Sequence, residues 1–386
     1  MKLLGIEASR GIAAVLVLLL HATNMLADPR NPGHVAFGGL FLFGRAGVDF
    51  FFVLSGFIIA HIHAGDLGRP QGFGLFWRKR LLRIYPVYWA VTALYGALFF
   101  FSPTRERFEQ DPWHILSSLL LLPDHYPYPI VAVAWSLQHE MLFYALFSFL
   151  ILNRRFGTAA LAAWFATILF NMGWTMATGQ PFFPGVWGDL VFRVFNIEFL
   201  FGMAAAWAFR GGNAPRPALV ATIGATIFLA NGMAESFLPA VMQEWPPRHL
   251  AYALGSALAI YGLATLDRQR HARGQPEGQG RVAGPLVAVG GASYSLYLLH
   301  VLVVLVAAEL LKRTRPFLDV PLEISYLFVV GGTVIFAVVF SRLVERPLMR
   351  AGNRIFVAER ARHDQPTQPD LQLGGSRADR GAGSDA

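Results

Sequence analysis

The chain has no cysteine in 386 residues and few charges, 15% Asp, Glu, Lys and Arg against 55% hydrophobic residues. The first absence excludes disulfides, thiolate metal sites and a cysteine nucleophile. The second excludes an ordinary soluble domain, which carries nearer a quarter charged residues. A mean hydropathy of +0.46 fits a chain that lives mostly in lipid. No metal-ligand spacing is convincing, so no metal is expected, and the Gly-rich pieces lack the strand–helix context of a phosphate or dinucleotide loop. The net charge of +8 does not form one stripe, which argues against nucleic acid as a partner.

What is present is a series of long apolar runs, near 11–27, 46–63, 84–101, 134–152, 158–176, 190–209, 217–238, 249–266, 285–311 and 323–343. Each is long enough to cross ~30 Å of hydrocarbon as a helix. The fold class is therefore all-α, a polytopic membrane helical bundle of about ten transmembrane helices. A shorter run, Ile115–Leu122, stops at Pro123 and is expected to lie at the interface or re-enter. Of the 32 Lys and Arg, 23 fall on the side of the N-terminus and 8 on the other, with Arg193 inside a span. The positive-inside rule then places both termini in the cytoplasm. Leaving out the eight from Arg342 onward still gives 15 against 8. The first run lacks a convincing small-residue cleavage site and reads as a retained helix. Residues 1–350 read as one membrane domain. The polar, non-periodic residues 351–386 read as a disordered cytoplasmic tail.

Ionisable residues inside such spans are costly and are functional candidates by default. Arg10 and His21 are eleven residues apart, which returns them to one helix face and separates them by ~16 Å of rise. With Arg10 at the membrane surface, His21 lies near mid-bilayer. Arg80 and Arg83, three apart, also share a face. Guanidinium pairs suit phosphate oxygens, although basic flanking of a helix explains such residues equally well. Glu140, about six residues into the fourth run, falls roughly 9 Å below the outer edge, close to the roughly 14 Å of His21. A carboxylate at that depth could hold the imidazole tautomer and stabilise the cation that forms, or make a structural bond elsewhere. Asp49, at the outer end of the second run, is a solvated boundary charge or a partner for Arg45. Ser55-Gly56 reads as close helix packing. His300, deep in the ninth run, suits packing or gating. Arg193 and Glu198 could pair within the membrane, and Glu345-Arg346-Pro347 reads as a boundary with structural pairing.

Taken together, Arg10-x10-His21, Gly47-Val-Asp-Phe-Phe-Phe-Val-Leu-Ser-Gly56, Arg80-Leu-Leu-Arg83-Ile-Tyr-Pro86, Trp135-Ser-Leu-x-x-Glu140, Phe199-Leu-Phe-Gly-Met203, Ser293-Tyr-Ser-Leu-Tyr-Leu-Leu-His300 and Val344-Glu-Arg-Pro347 occur in order along the chain. This set resembles the acyltransferase-3 family of bacterial membrane proteins over roughly 5–350. The first two motifs are most similar to the branch that acetylates exopolysaccharides. Many relatives carry an extracytoplasmic esterase-like domain, where this chain has only its polar tail.

The resemblance implies an inner-membrane O-acyltransferase that moves an acyl group, acetyl in this branch, from cytosolic acyl-CoA to a glycan or lipid-linked glycan. Acyl-CoA is then a co-substrate, with no bound cofactor. Membrane lipid and polysaccharide biosynthesis proteins are the other implied partners. Arg10, Arg80 and Arg83 would hold the donor phosphates. His21 would be the base and Glu140 its orienting partner, with Asp49, Ser136 and His300 in support. Direct transfer is favoured over a relay through Ser55, Ser136 or an acyl-histidine. The rival function is a transporter or flippase for a lipid-linked sugar or small metabolite, which intramembrane charges would also serve.

Overall fold

The computed structural model describes residues 3–27, 35–100, 111–212, 214–238, 242, 247–274, 283–314, 320–352 and 354. Regular structure among the described residues is entirely helical. In order, the helices are α1 (Leu4–Met25), α2 (Ala46–Ile62), α3 (Phe73–Phe100), α4 (Pro112–Leu120), α5 (Trp135–Leu152), α6 (Arg154–Thr178) and α7 (Val186–Phe192). There follow α8 (Ile197–Gly211), α9 (Pro217–Phe237), α10 (Arg248–Ala272), α11 (Ala283–Gly291), α12 (Ser293–Thr314) and α13 (Leu322–Phe340), extended by a π-helical turn Ser341–Glu345. Apart from Ala351, Gly352 and Arg354, the segment expected as a tail lies outside the described residues.

Nine helical segments among the described residues are long and apolar enough to cross a membrane, and each matches one expected run. The tenth run, 84–101, falls within α3. That helix starts at Phe73, so Arg80 and Arg83 sit on it rather than on a loop before it. Arg83, Pro86 and the tyrosines at 85, 88 and 95 make its later part less apolar than its neighbours. The short run became α4. Asp111 caps it by accepting from Trp113 N–H at 2.9 Å, Pro112 supplies the first turn, and Leu121 ends it at φ 56°. Its last carbonyls have no partner within the helix. They accept instead from α3, Ser118 from Tyr88 Oη (2.7 Å), Leu119 from Trp89 Nε1 (2.9 Å) and Leu120 from Tyr85 Oη (2.8 Å).

The segment Leu42–Ile62, which contains α2, is the most buried of the nine at 67%. It packs against α1, α8 and α10, and Phe51 touches all three hydrophobic clusters of the bundle. Gly56 and Gly202 let α2 and α8 touch backbone to backbone. A methyl on Gly56 would strike the Phe199 carbonyl, and one on Gly202 would strike that of Val53. The expected close packing at Gly56 is thus present, through a pair of small residues as in other membrane bundles. A similar contact, Gly11 against Gly290, seats α1 on α11 next to Arg10.

Candidate active site

Two cavities meet along α2. The first, of about 340 Å³, is lined at one end by Glu7, Arg10, Arg80 and Arg83 and at the other by Val48 and Ser136. It follows α2 from Ile59 to Val48, eleven residues or about 16 Å at ~1.5 Å per residue. Arg10 comes from α1, while Arg80 and Arg83 come from one face of α3. Arg80 lies 6.0 Å over the Tyr144 ring and Arg83 lies 5.3 Å over that of Tyr294. Arg83 also donates to Glu345 at 3.3 Å. Arg10 has Glu7 at 3.7 Å and lies within electrostatic reach of Arg83, Glu345 and Glu140. The Nε of Arg80 is buried and has no hydrogen-bond partner among the described residues.

Glu140 lies on the wall of this cavity, where its Oε1 accepts from Ser55 Oγ (2.7 Å) and Tyr144 Oη (2.5 Å). Glu140 does not pair with His21, contrary to the expectation. His21 pairs with His300, ring centroids 4.8 Å apart, and neither histidine lines the cavity. Tyr297 stands beside His300 on the cavity wall. That tyrosine lines the cavity, lies 5.9 Å from the His300 ring and 6.1 Å from Phe51, and bonds Ser136 Oγ at 2.7 Å. His300 is therefore the imidazole partner of His21.

The pair has an assignable hydrogen pattern. His300 Nδ1 faces the carbonyls of Tyr297 (2.7 Å) and Leu296 (3.2 Å), which only accept, so it carries the proton. In the neutral ring Nε2 then accepts, and His21 Nδ1 at 3.2 Å donates to it and to Val17 O at 2.9 Å. This leaves Nε2 of His21 as the free lone pair.

The second cavity, about 720 Å³, lies at the opposite end of the bundle and shares only Val48 and Phe52 with the first. On its floor Asp49 is buried and bonded to His249 Nδ1 at 2.7 Å, with Glu198 Oε1 at 3.5 Å from the same nitrogen. Asp49 is thus neither a solvated charge nor the ion-pair partner of Arg45, which pairs with Glu235. Arg193 and Glu198 do not pair either. The chain leaves α7 at Arg193, which turns to Asp189 at 3.6 Å. Asp49, Glu198 and His249 form the one group of ligand-type atoms, within 4.8 Å of one another, spaced to hold a cation among the described residues.

The family model described as an acyltransferase domain matches residues 3–342, nearly the whole chain. The chain belongs to the acyltransferase-3 family. It is 28% identical over 327 residues to an exopolysaccharide production protein, ExoZ, of Rhizobium meliloti (strain 1021), covering 82% of this chain and 92% of that one. It is 25% identical over 325 residues to the acyltransferase MdmB of Streptomyces mycarofaciens, covering 78% of this chain and 79% of that one. No solved structure matches. The protein is thus an enzyme, a multi-pass membrane O-acyltransferase that uses an acyl donor.

Within this acyltransferase fold the sequence did not single out Tyr144, Tyr294 or the outer His249. Glu345, expected at a boundary, is buried and accepts from Ser295 (2.6 Å) and Ser341 (2.8 Å) as well as from Arg83. The Ser-x-x-x-Glu spacing across the π-turn was the available signal for that last contact.

Proposed function

We propose that this acyltransferase moves an acetyl group from cytosolic acyl-CoA to a hydroxyl of a cell-surface polysaccharide or its lipid-linked precursor. The observation that carries the reading is the convergence of Arg10, Arg80 and Arg83 from two helices on one narrow cavity. The buried Nε of Arg80 has no hydrogen-bond partner among the described residues. Guanidinium groups bind phosphate through paired N–H donors, so the nucleotide phosphates would lie at this mouth. A cavity of about 340 Å³ suits the slender pantetheine arm rather than the whole coenzyme. Both termini and the 351–386 tail would be cytoplasmic, with the bundle in the bacterial inner membrane. The similarity to an exopolysaccharide production protein of Rhizobium meliloti supports a polysaccharide acceptor.

His21 is the proposed base. His300 fixes its tautomer, in the place first given to Glu140, and its Nε2 takes the acceptor hydroxyl proton. The hydroxyl oxygen forms a bond to the thioester carbonyl carbon. The carbon–sulfur bond breaks, and the proton passes from His21 to the departing CoA thiolate. Neither histidine lines the cavity, so Tyr297, which lines it and neighbours His300, would have to turn aside for His21 to reach it. Glu140 then serves the donor side, close to Arg10 and bonded to Ser55. Ser55 and Ser136 line the same cavity and are the hydroxyls a relay would use.

The test uses protein in nanodiscs, radiolabelled acetyl-CoA and the host's own polysaccharide after mild alkali has removed its O-acyl groups. Label moving into the polysaccharide, with CoA released in equal amount, is the expected result. No donor binding at any concentration, or label left on the protein as a stable end product, would reject the reading.

A further inference from the structure

An imidazole held by a carboxylate, the arrangement expected of His21 and Glu140, occurs at the other end of the bundle. His249 on α10 gives its Nδ1 hydrogen to Asp49 on α2, and Glu198 on α8 stands behind the same nitrogen. All three are buried. With Nδ1 committed, Nε2 is the lone pair of the neutral ring, and it has no protein partner among the described residues. His249 lines the outer cavity, with 9% of its side chain exposed.

The rest of that cavity has a definite chemistry. Trp135, Tyr126 and Tyr128 offer flat apolar faces, and Gln138 has given an amide N–H to Leu122 O at 2.9 Å, which leaves its carbonyl free to accept. Its arginines are already engaged. Arg45 pairs with Glu235, Arg248 donates to Met242 O at 2.7 Å, and Arg193 faces Asp189. An anionic ligand would therefore meet four carboxylates, Asp49, Asp124, Asp189 and Glu198, against three arginines that each already face a carboxylate or a carbonyl. A purely apolar ligand would strand the polar floor without water. A neutral polyol fits both constraints, with its C–H faces on the aromatic rings and its hydroxyls on the planar polar groups. The volume of about 720 Å³ lies within the range of ordinary small-ligand sites.

We propose that the outer cavity is the acceptor site, where a neutral sugar residue stacks on the aromatic wall and donates a hydroxyl hydrogen bond to His249 Nε2, Asp49 fixing the tautomer. This rests on the acyl-transfer reading above. It adds an anchor that binds a hydroxyl other than the one acylated, so His249 binds and His21 remains the base. Val48 and Phe52 line both cavities, so a sugar seated here would share part of its wall with the donor.

The experiment measures transfer kinetics and donor affinity in nanodiscs for the wild type, His249→Gln, Asp49→Asn and Tyr128→Ala. The acceptor is the alkali-treated host polysaccharide, and in a parallel arm the host's lipid-linked oligosaccharide. Tyr128 is 56% exposed, so its truncation tests the wall without risk to folding. The expected result is an acceptor KM raised tenfold or more by His249→Gln and at least threefold by Tyr128→Ala. In both variants kcat should change less than threefold and acetyl-CoA affinity should hold. Transfer to both acceptors means that the pocket reads the sugar alone, and transfer only to the lipid-linked form places the sugar on its carrier. Either supports the site.

An unchanged acceptor KM in both variants overturns the inference and leaves acyl transfer standing. Wild-type protein that binds no acetyl-CoA overturns both. Added EDTA should have no effect. Inhibition reversed by a divalent metal would make the Asp49–Glu198–His249 group a cation site and overturn the hydroxyl assignment.

Discussion

The two cavities beside Phe52 are built on different electrostatic plans. The inner one is narrow and sets three arginines against two glutamates on its wall. Its guanidiniums come from two helices, α1 and α3. The outer one is about twice as large and sets three arginines against four carboxylates, with the cations committed to neighbouring groups. Guanidiniums that converge on a narrow cavity suit a ligand that brings negative charge. A site whose charges are settled among themselves can select by shape and hydrogen bonding. The contrast fits the proposed assignment of the first cavity to a phosphate-bearing donor and of the second to a neutral acceptor.

The largest effect should come from His21→Ala, because general base catalysis contributes roughly 10²–10⁴-fold. Acetyl transfer should fall by that order while acetyl-CoA affinity changes less than threefold. Near-normal turnover would remove His21 from the chemistry and leave the donor chamber intact. Next, Arg80→Ala or Arg83→Ala should weaken donor affinity by roughly 10- to 100-fold, from about 1.5–3 kcal/mol per hydrogen bond to a charged group. Titration of labelled acetyl-CoA measures this, and an outer-cavity variant such as Tyr128→Ala should leave the titration unmoved.

A smaller change is expected from Phe52→Ala, which thins the partition. Water from the outer cavity would then reach the thioester, and CoA release without acceptor should rise a few-fold over wild type. An unchanged background rate would mean that Val48 alone keeps the cavities apart.

The smallest effect concerns the loop that forms part of the outer wall. Burial by itself raises the Asp124 carboxyl pKa, but hydrogen bonds from Ser117, His114 (2.8 Å) and the Tyr126 N–H (2.8 Å) outweigh it and hold the pKa below the ordinary value. Its stabilisation is therefore complete above the unfolded value of about 3.9 and is lost only as pH falls through the lower folded one. Asp124→Asn should cost about 1 kcal/mol in thermal unfolding at neutral pH. The difference from wild type should vanish in strong acid, and a difference that persists there would reject the charge as its origin.

The donor chamber was legible because its residues lie in short motifs. A three-residue spacing puts Arg80 and Arg83 on one face whatever the tertiary fold, and apolar run lengths gave nine of the spans. The outer chamber was not legible because its contacts join distant segments. Asp49 and His249 are 200 residues apart in the chain. The pairing of Glu140 with His21 failed for a related reason: helical rise gives depth, and two groups at equal depth can still face different directions around the bundle. Arg193 and Glu198 were misread because continuous helix was assumed, whereas Arg193 adopts φ −66°, ψ 145° between α7 and α8. His300 reads from the sequence as packing, gating or support, since nothing local shows that its ring meets another from α1.

The glycine seam between Gly56 and Gly202 bears on how substrate and donor can come together. Two helices whose backbones touch at both glycines are closely seated on each other at that level, and α2 lines both cavities. Under the proposed reading, an acyl group alone would then pass along α2, while donor and acceptor would each stay in its own cavity.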